Sequence, residues 1–78
     1  MLITSSVLEL KEEGFAQIEK YLADIPGVEV RGVSKDKNRV LLIIETEDSE
    51  GLEKTGKDIG KHPAVISLLH HSFHFDEE

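Results

Sequence analysis

Residues 28–46 read Val28-Glu29-Val30-Arg31-Gly32-Val33, then Ser34-Lys35-Asp36-Lys37-Asn38, then Arg39-Val40-Leu41-Leu42-Ile43-Ile44-Glu45-Thr46. The first segment alternates apolar Val28 and Val30 with Glu29 and Arg31, the mark of a half-buried strand. The middle is polar and turn-forming, and the last segment is the most apolar in the chain. Two strands so close in sequence pair as a β-hairpin. In the second of them Val40, Leu42 and Ile44 point one way, and Leu41, Ile43 and Glu45 the other. Apolar residues on both faces place that strand inside the sheet, with one face covered and the other covered or kept for a partner.

Working outward towards the N-terminus, Phe15, Ile18, Leu22 and Ile25 recur at helical steps and form one apolar face. Lys11-Glu12-Glu13-Gly14 is expected to open this helix, its early negative charge suiting the helix dipole. Ile25-Pro26-Gly27 ends it, because Pro disfavours helix in the residue before it and Gly admits a left-handed turn. Ahead of the helix, Leu2 to Leu10 lacks a helical stripe and reads as a strand. Towards the C-terminus, Asp48-Ser49 supplies an N-cap for a second helix with a thin apolar face, Leu52 and Ile59. His62-Pro63 ends it, with His62 suited to the negative end of the dipole. Ala64 to about Phe75 forms the last strand, and 76–78 is an acidic tail.

The order β-α-β-β-α-β over residues 1–78 implies a single α+β domain. The expected fold is a ferredoxin-like βαββαβ sandwich: a four-stranded antiparallel sheet with two helices on one face. Right-handed crossovers put strands one and three in the centre and strands two and four at the edges. Strands one and three are read as parallel neighbours.

One sheet face is then open. Val40, Leu42 and Ile44 are assigned to the helix side. Ile3, Ser5, Val7 and Glu9 of strand one, and Leu41, Ile43 and Glu45 of strand three, are assigned to the open side. Strand four is expected to add Leu69, His71 and Phe73. With strands one and three parallel, Glu9 and Glu45 should emerge together at one end, above an apolar floor. Such a face suits a peptide carrying both hydrophobic and cationic residues.

Composition narrows the function further. The 78 residues hold 9 Lys and Arg against 16 Asp and Glu, a net charge of −7. That balance argues against nucleic acid and anionic membranes as partners, which both demand basic patches. No cysteine is present, so disulfides and thiolate metal sites are out. No apolar run approaches the ~20 residues of a membrane helix, and the first residues lack the basic region of a signal peptide; a cytoplasmic location is expected.

His70, His71 and His74 crowd strand four, but alternation sends His71 to the face opposite His70 and His74, so no metal site is expected. Ser5-Ser6 and the histidines form no nucleophile motif, and there is no glycine-rich phosphate loop. Acyl phosphate hydrolases of this fold need an Arg cradle and a catalytic Asn, for which Arg39 and Asn38 in a hairpin substitute poorly. No enzyme activity and no cofactor are expected.

Ser6-Val7 in the first strand, Ile25-Pro26-Gly27-Val28-Glu29-Val30, and Glu45-Thr46-Glu47-Asp48-Ser49-Glu50 after an apolar strand resemble the NapD family. These are small cytoplasmic chaperones for the catalytic subunit of periplasmic nitrate reductase. The resemblance runs from Ile3 to about Ser67, and its specificity lies in the order and spacing of motifs that are each common. It implies the ferredoxin-like fold and binding of the precursor's twin-arginine signal peptide on the open sheet, holding back export until the molybdenum cofactor is inserted. Glu45 falls on the family's acidic position, whereas Glu9 matches a polar position that need not be acidic and its role rests on the open-face geometry alone; the peptide's arginines would reach Glu45, with Glu9 or Glu47 in support. The peptide's apolar side chains would cover Ile3, Val7, Leu41 and Ile43, with Leu69 and His71 at one margin. The resemblance departs in strand four, where Phe73-His74 matches the family's aromatic-His pair only after a one-residue shift. Two other readings stay open: a small-molecule regulatory domain using the Gly14 loop after strand one, and a module that pairs an edge strand with a partner.

Overall fold

The computed structural model describes residues 1–75, with side chains described for residues 1–71. Six elements follow one another: β1 (Leu2–Leu10), α1 (Gly14–Ala23), β2 (Val28–Val33), β3 (Arg39–Thr46), α2 (Ser49–Gly60) and β4 (Val65–Phe75). The strands form one sheet in the order β2-β3-β1-β4, and every neighbouring pair is antiparallel. The sequence-predicted tail, 76–78, lies outside the described residues.

This topology corrects the expected direction of the two central strands. The β2–β3 hairpin reverses the chain, and β1 and β2, joined through α1, run the same way with β3 inserted between them. A strand that opposes β2 must also oppose β1. Their register accordingly pairs Ile3 with Glu45, Val7 with Leu41, and Glu9 with Arg39.

The helix-covered face carries the core, and strand alternation dictates which residues enter it. Leu2, Leu8 and Leu10 of β1 and Val40, Leu42 and Ile44 of β3 are buried beneath Ile18 and Leu22 of α1 and Leu52 and Ile59 of α2. Phe15 and Ile25 pack at the margin. At ~1.5–3 kcal/mol for each fully buried aliphatic side chain, these residues supply most of the drive to fold.

Helix α1 starts later than its acidic prelude suggests. Glu13 sits at the N-cap with φ 62° and makes no capping hydrogen bond through its side chain, and the first turn contains no acidic residue. Lys11 still donates its N–H to the Ala64 carbonyl at 2.9 Å, and Gly14 packs on Ala64 just before β4, where a Cβ would lie 3.0 Å from the Ala64 carbonyl oxygen and 3.1 Å from the Ala64 Cβ. Helix α2 begins as expected, its Asp48 carboxylate accepting the Gly51 N–H at 2.8 Å. At its far end His62 lies past the helix; its Nδ1 accepts the Ala64 N–H at 3.1 Å, and its ring packs 5.2 Å from that of Tyr21.

Candidate functional site

Register turns the open face into a grid. One row across the sheet runs Gly32, Leu41, Val7, Leu69. The next on one side contains Arg39, Glu9 and Ser67. On the other side come Glu29, Ile43 and Ser5, and then Glu45 and Ile3. Every β1 residue assigned to this face from sequence, Ile3, Ser5, Val7 and Glu9, is partly exposed, whereas the alternate set Leu2, Thr4, Ser6, Leu8 and Leu10 is buried. Leu41 keeps 39% of its surface exposed and Leu69 keeps 56%. A shallow groove of about 450 Å³ lies over this region, lined by Val7, Glu9, Leu41, Leu69 and His71 together with Arg39 and Gly32.

The structure therefore gathers five of the sequence-predicted residues into one groove and separates the acidic ones. Glu9 and Glu45 stand at opposite ends of the central strand pair, six residues apart along β3, or ~20 Å at ~3.3–3.4 Å per residue. The expected carboxylate pair does not form, because its two members were placed together only by the parallel reading. Glu9 instead faces Arg39 across the ladder. Glu45 has Glu47 and Asp48 as neighbours, in a second hollow of about 520 Å³ that also includes Ile25, Pro26, Gly27, Lys54 and Asp58. Ile43 lies between the two regions, and Ile3 stands level with Glu45.

The Pro-Gly turn fixes the acidic end. Gly27 adopts φ +82°, and its carbonyl accepts the Glu45 N–H at 2.7 Å. A Cβ on Gly27 would press into the Glu45 carbonyl oxygen. The turn and the Glu45-Thr46-Glu47-Asp48 stretch, distant in sequence, are one structural unit. Thr46 adds a hydrogen bond from its hydroxyl to the Asp48 carbonyl at 3.0 Å.

Strand four bends around a β-bulge. Ser6 pairs with His70 and Ser5 with Ser72, which leaves His71 as the extra residue. His71 lines the groove on the open side, whereas His70 lies on the helix side among α2 residues. Beyond the bulge Phe73 is opposite Thr4; its expected place on the open face concerns a side chain outside those described, as does that of His74. Among the described residues no group of His, Asp and Glu is arranged to hold a metal.

Sequence reasoning missed one contact. Ser6 Oγ and His70 Nδ1 are hydrogen-bonded at 2.6 Å. Ser6 has no exposed surface, whereas His70 is partly buried and lines a hollow beside α2. Burial lowers the His70 pKa below its usual value. Alternation alone assigns Ser6 to the helix side, but finding its partner needs the bulge that puts His70 opposite it. Gly14, the residue on which a small-molecule loop would depend, is filled by Ala64 as described above.

An antiparallel sheet in the order β2-β3-β1-β4, covered by two helices on one side, defines the ferredoxin-like class of fold. The chain belongs to the NapD family, whose model, described as NapD protein, matches residues 1–77. Among solved structures it is similar to that described as the solution structure of the E. coli Tat proofreading chaperone protein NapD, with a TM-score of 0.81 and 28% sequence identity. That likeness covers 97% of this chain and 79% of the E. coli chain. Comparison with curated protein sequences gives no significant match. Family and structural neighbour together support a chaperone role. No helix among the described residues is long and apolar enough to cross a membrane.

Proposed function

We propose that this protein binds the twin-arginine signal peptide of a periplasmic nitrate reductase precursor on its open sheet face, in the cytoplasm, and so delays export until the enzyme has its cofactor and is folded. The observation that carries the reading is the Leu41–Val7–Leu69 row, an apolar strip left uncovered on a protein with net charge −7. A signal peptide offers the complement: two arginines followed by an apolar stretch. Covering the exposed parts of these side chains supplies affinity. Exposed ion pairs contribute only ~0–1 kcal/mol each, so the carboxylates act mainly on orientation and specificity. Occupying the peptide is enough to withhold it from the export machinery, and no active site is needed.

Calorimetric titration with a synthetic twin-arginine signal peptide, beside a control with both arginines changed to Gln, tests this. Binding that weakens in the control is the expected result. Absence of binding to either peptide would sink the reading.

A further inference from the structure

The open face has a polarity that the signal-peptide reading does not by itself specify. Its two ends, ~20 Å apart along β3, differ in charge. At the Glu45 end the Glu45 and Glu47 carboxylates have no ion-pair partner among the described residues. Asp48 is committed to the Gly51 amide, Lys54 lines the same hollow, and the N-terminal Met1, next to the Leu2–Thr46 pair, lies at this end too. At the other end Arg39 stands on the open face directly across from Glu9, at the rim of the apolar groove. The neighbouring Asp36 carboxylate is held by the Ser34 hydroxyl and the Asn38 amide. The remaining described guanidinium on the sheet, Arg31, is bonded to Glu29 at 2.6 Å.

A ligand with its positive charge at one end and an apolar run after it has two ways to lie along such a face. In one, its arginines meet Glu45 and Glu47 while its apolar run passes Ile3 and Ile43 and ends in the groove of Val7, Leu41 and Leu69. In the other, its arginines meet Arg39 beside Glu9, and its apolar run ends over two carboxylates that have no ion-pair partner among the described residues and that it would desolvate. At the Glu45 end two carboxylates await the arginines, whereas at the other end Arg39 offsets Glu9 and repels an incoming guanidinium, so the charges favour the first arrangement.

We infer that Arg39 is an orientation-determining residue: it directs a cationic-apolar peptide to lie with its arginine-bearing N-terminal part at the Glu45 end and its apolar part running towards Arg39. This rests on the signal-peptide reading above. The span fits about 13 residues of helical peptide at ~1.5 Å per residue, or about six extended.

The chain has no cysteine, so a nitroxide placed on a cysteine at the N-terminus of the synthetic twin-arginine peptide reports position without interference. Paramagnetic broadening in the ¹⁵N-labelled protein is expected at the amides of Ile3, Gly27 and Thr46, with those of Leu10, Ser34 and Arg39 spared. Moving the label to the C-terminus of the apolar run should exchange the two sets. In Arg39→Glu, the N-terminal label is expected to broaden both sets. Binding with the opposite pattern overturns the orientation and leaves peptide capture standing. The same pattern in Arg39→Glu as in the parent removes Arg39 from the role. Failure of the unlabelled peptide to bind in calorimetry overturns the underlying reading and this one with it.

Discussion

Truncating the two outer members of the apolar row tests the site most directly. Leu41 and Leu69 flank Val7 on either side, two strand spacings or ~9–10 Å apart. Full burial of a Leu side chain is worth ~1.5–3 kcal/mol. With 39% of Leu41 and 56% of Leu69 still exposed, a covering peptide gains ~0.6–1.2 kcal/mol at the first and ~0.8–1.7 kcal/mol at the second, scaling that burial energy by the exposed fraction. At this separation the effects should add. Leu41→Ser with Leu69→Ser should therefore weaken peptide binding by roughly 10- to 100-fold, each single change by roughly 3- to 15-fold, at 1.4 kcal/mol per factor of ten. The already covered part of each side chain supports the fold, so urea titrations must accompany the calorimetry and fix a temperature at which every variant is folded. Leu42→Ala provides the contrast: Leu42 is next to Leu41 but has no exposed surface, and its loss should cost ~2–5 kcal/mol of stability without altering the affinity of the folded fraction. A folded double variant that binds within threefold of the parent would refute the assignment of this row as the peptide's seat.

Three further outcomes follow from the geometry. Gly27→Ala should destabilise the fold by ~2–4 kcal/mol, combining left-handed backbone strain with disturbance of the bond to Glu45; an unchanged urea midpoint would show that the turn relaxes freely. Thr4 Oγ1 is buried without a hydrogen-bond partner among the described residues, so Thr4→Val should raise stability by ~1 kcal/mol or more, as relief of an unsatisfied hydroxyl does; a fall on chemical denaturation would reveal a partner for it. Because burial lowers the His70 pKa in the folded state, the unfolded chain takes up that proton first as pH falls. His70's contribution is then constant well above pH ~6.5 and declines as pH falls through that value until the folded state also protonates. The stability difference between pH 8 and pH 5.5 should shrink in His70→Gln; an undiminished difference would assign the pH dependence to other groups.

Much of this architecture is legible in the sequence because strand periodicity is short and strict. β1, β2 and β3 begin and end where alternation and turn residues put them, and the facing of Val7, Leu41 and Leu69 follows from the same period of two. Strand direction is a different kind of information. It depends on combining a hairpin with a crossover, and the parallel reading of β1 and β3 broke that combination and brought Glu9 to Glu45. Helix α1 begins at Gly14 rather than Lys11: the Lys11 N–H is bonded to the carbonyl of Ala64, far off in sequence, and Glu13 takes a left-handed conformation. Register irregularities are equally non-local: nothing in Leu69-His70-His71-Ser72 by itself marks which histidine is extruded. Both the His70–Ser6 contact and the place of His71 in the groove depend on it.

The row Gly32–Leu41–Val7–Leu69 draws on all four strands, and its centre, Val7, belongs to the first strand while its rim, Leu69, belongs to the last. Strand β1 hydrogen-bonds on both sides to partners made after it, β3 and then β4. Until residues near 69 have emerged from synthesis, β1 has one free edge and the groove has one wall missing. Such sequence-distant pairing also closes slowly. The groove is therefore completed only when the last strand docks, and a chain lacking the residues near 69 would lack its Leu69 wall.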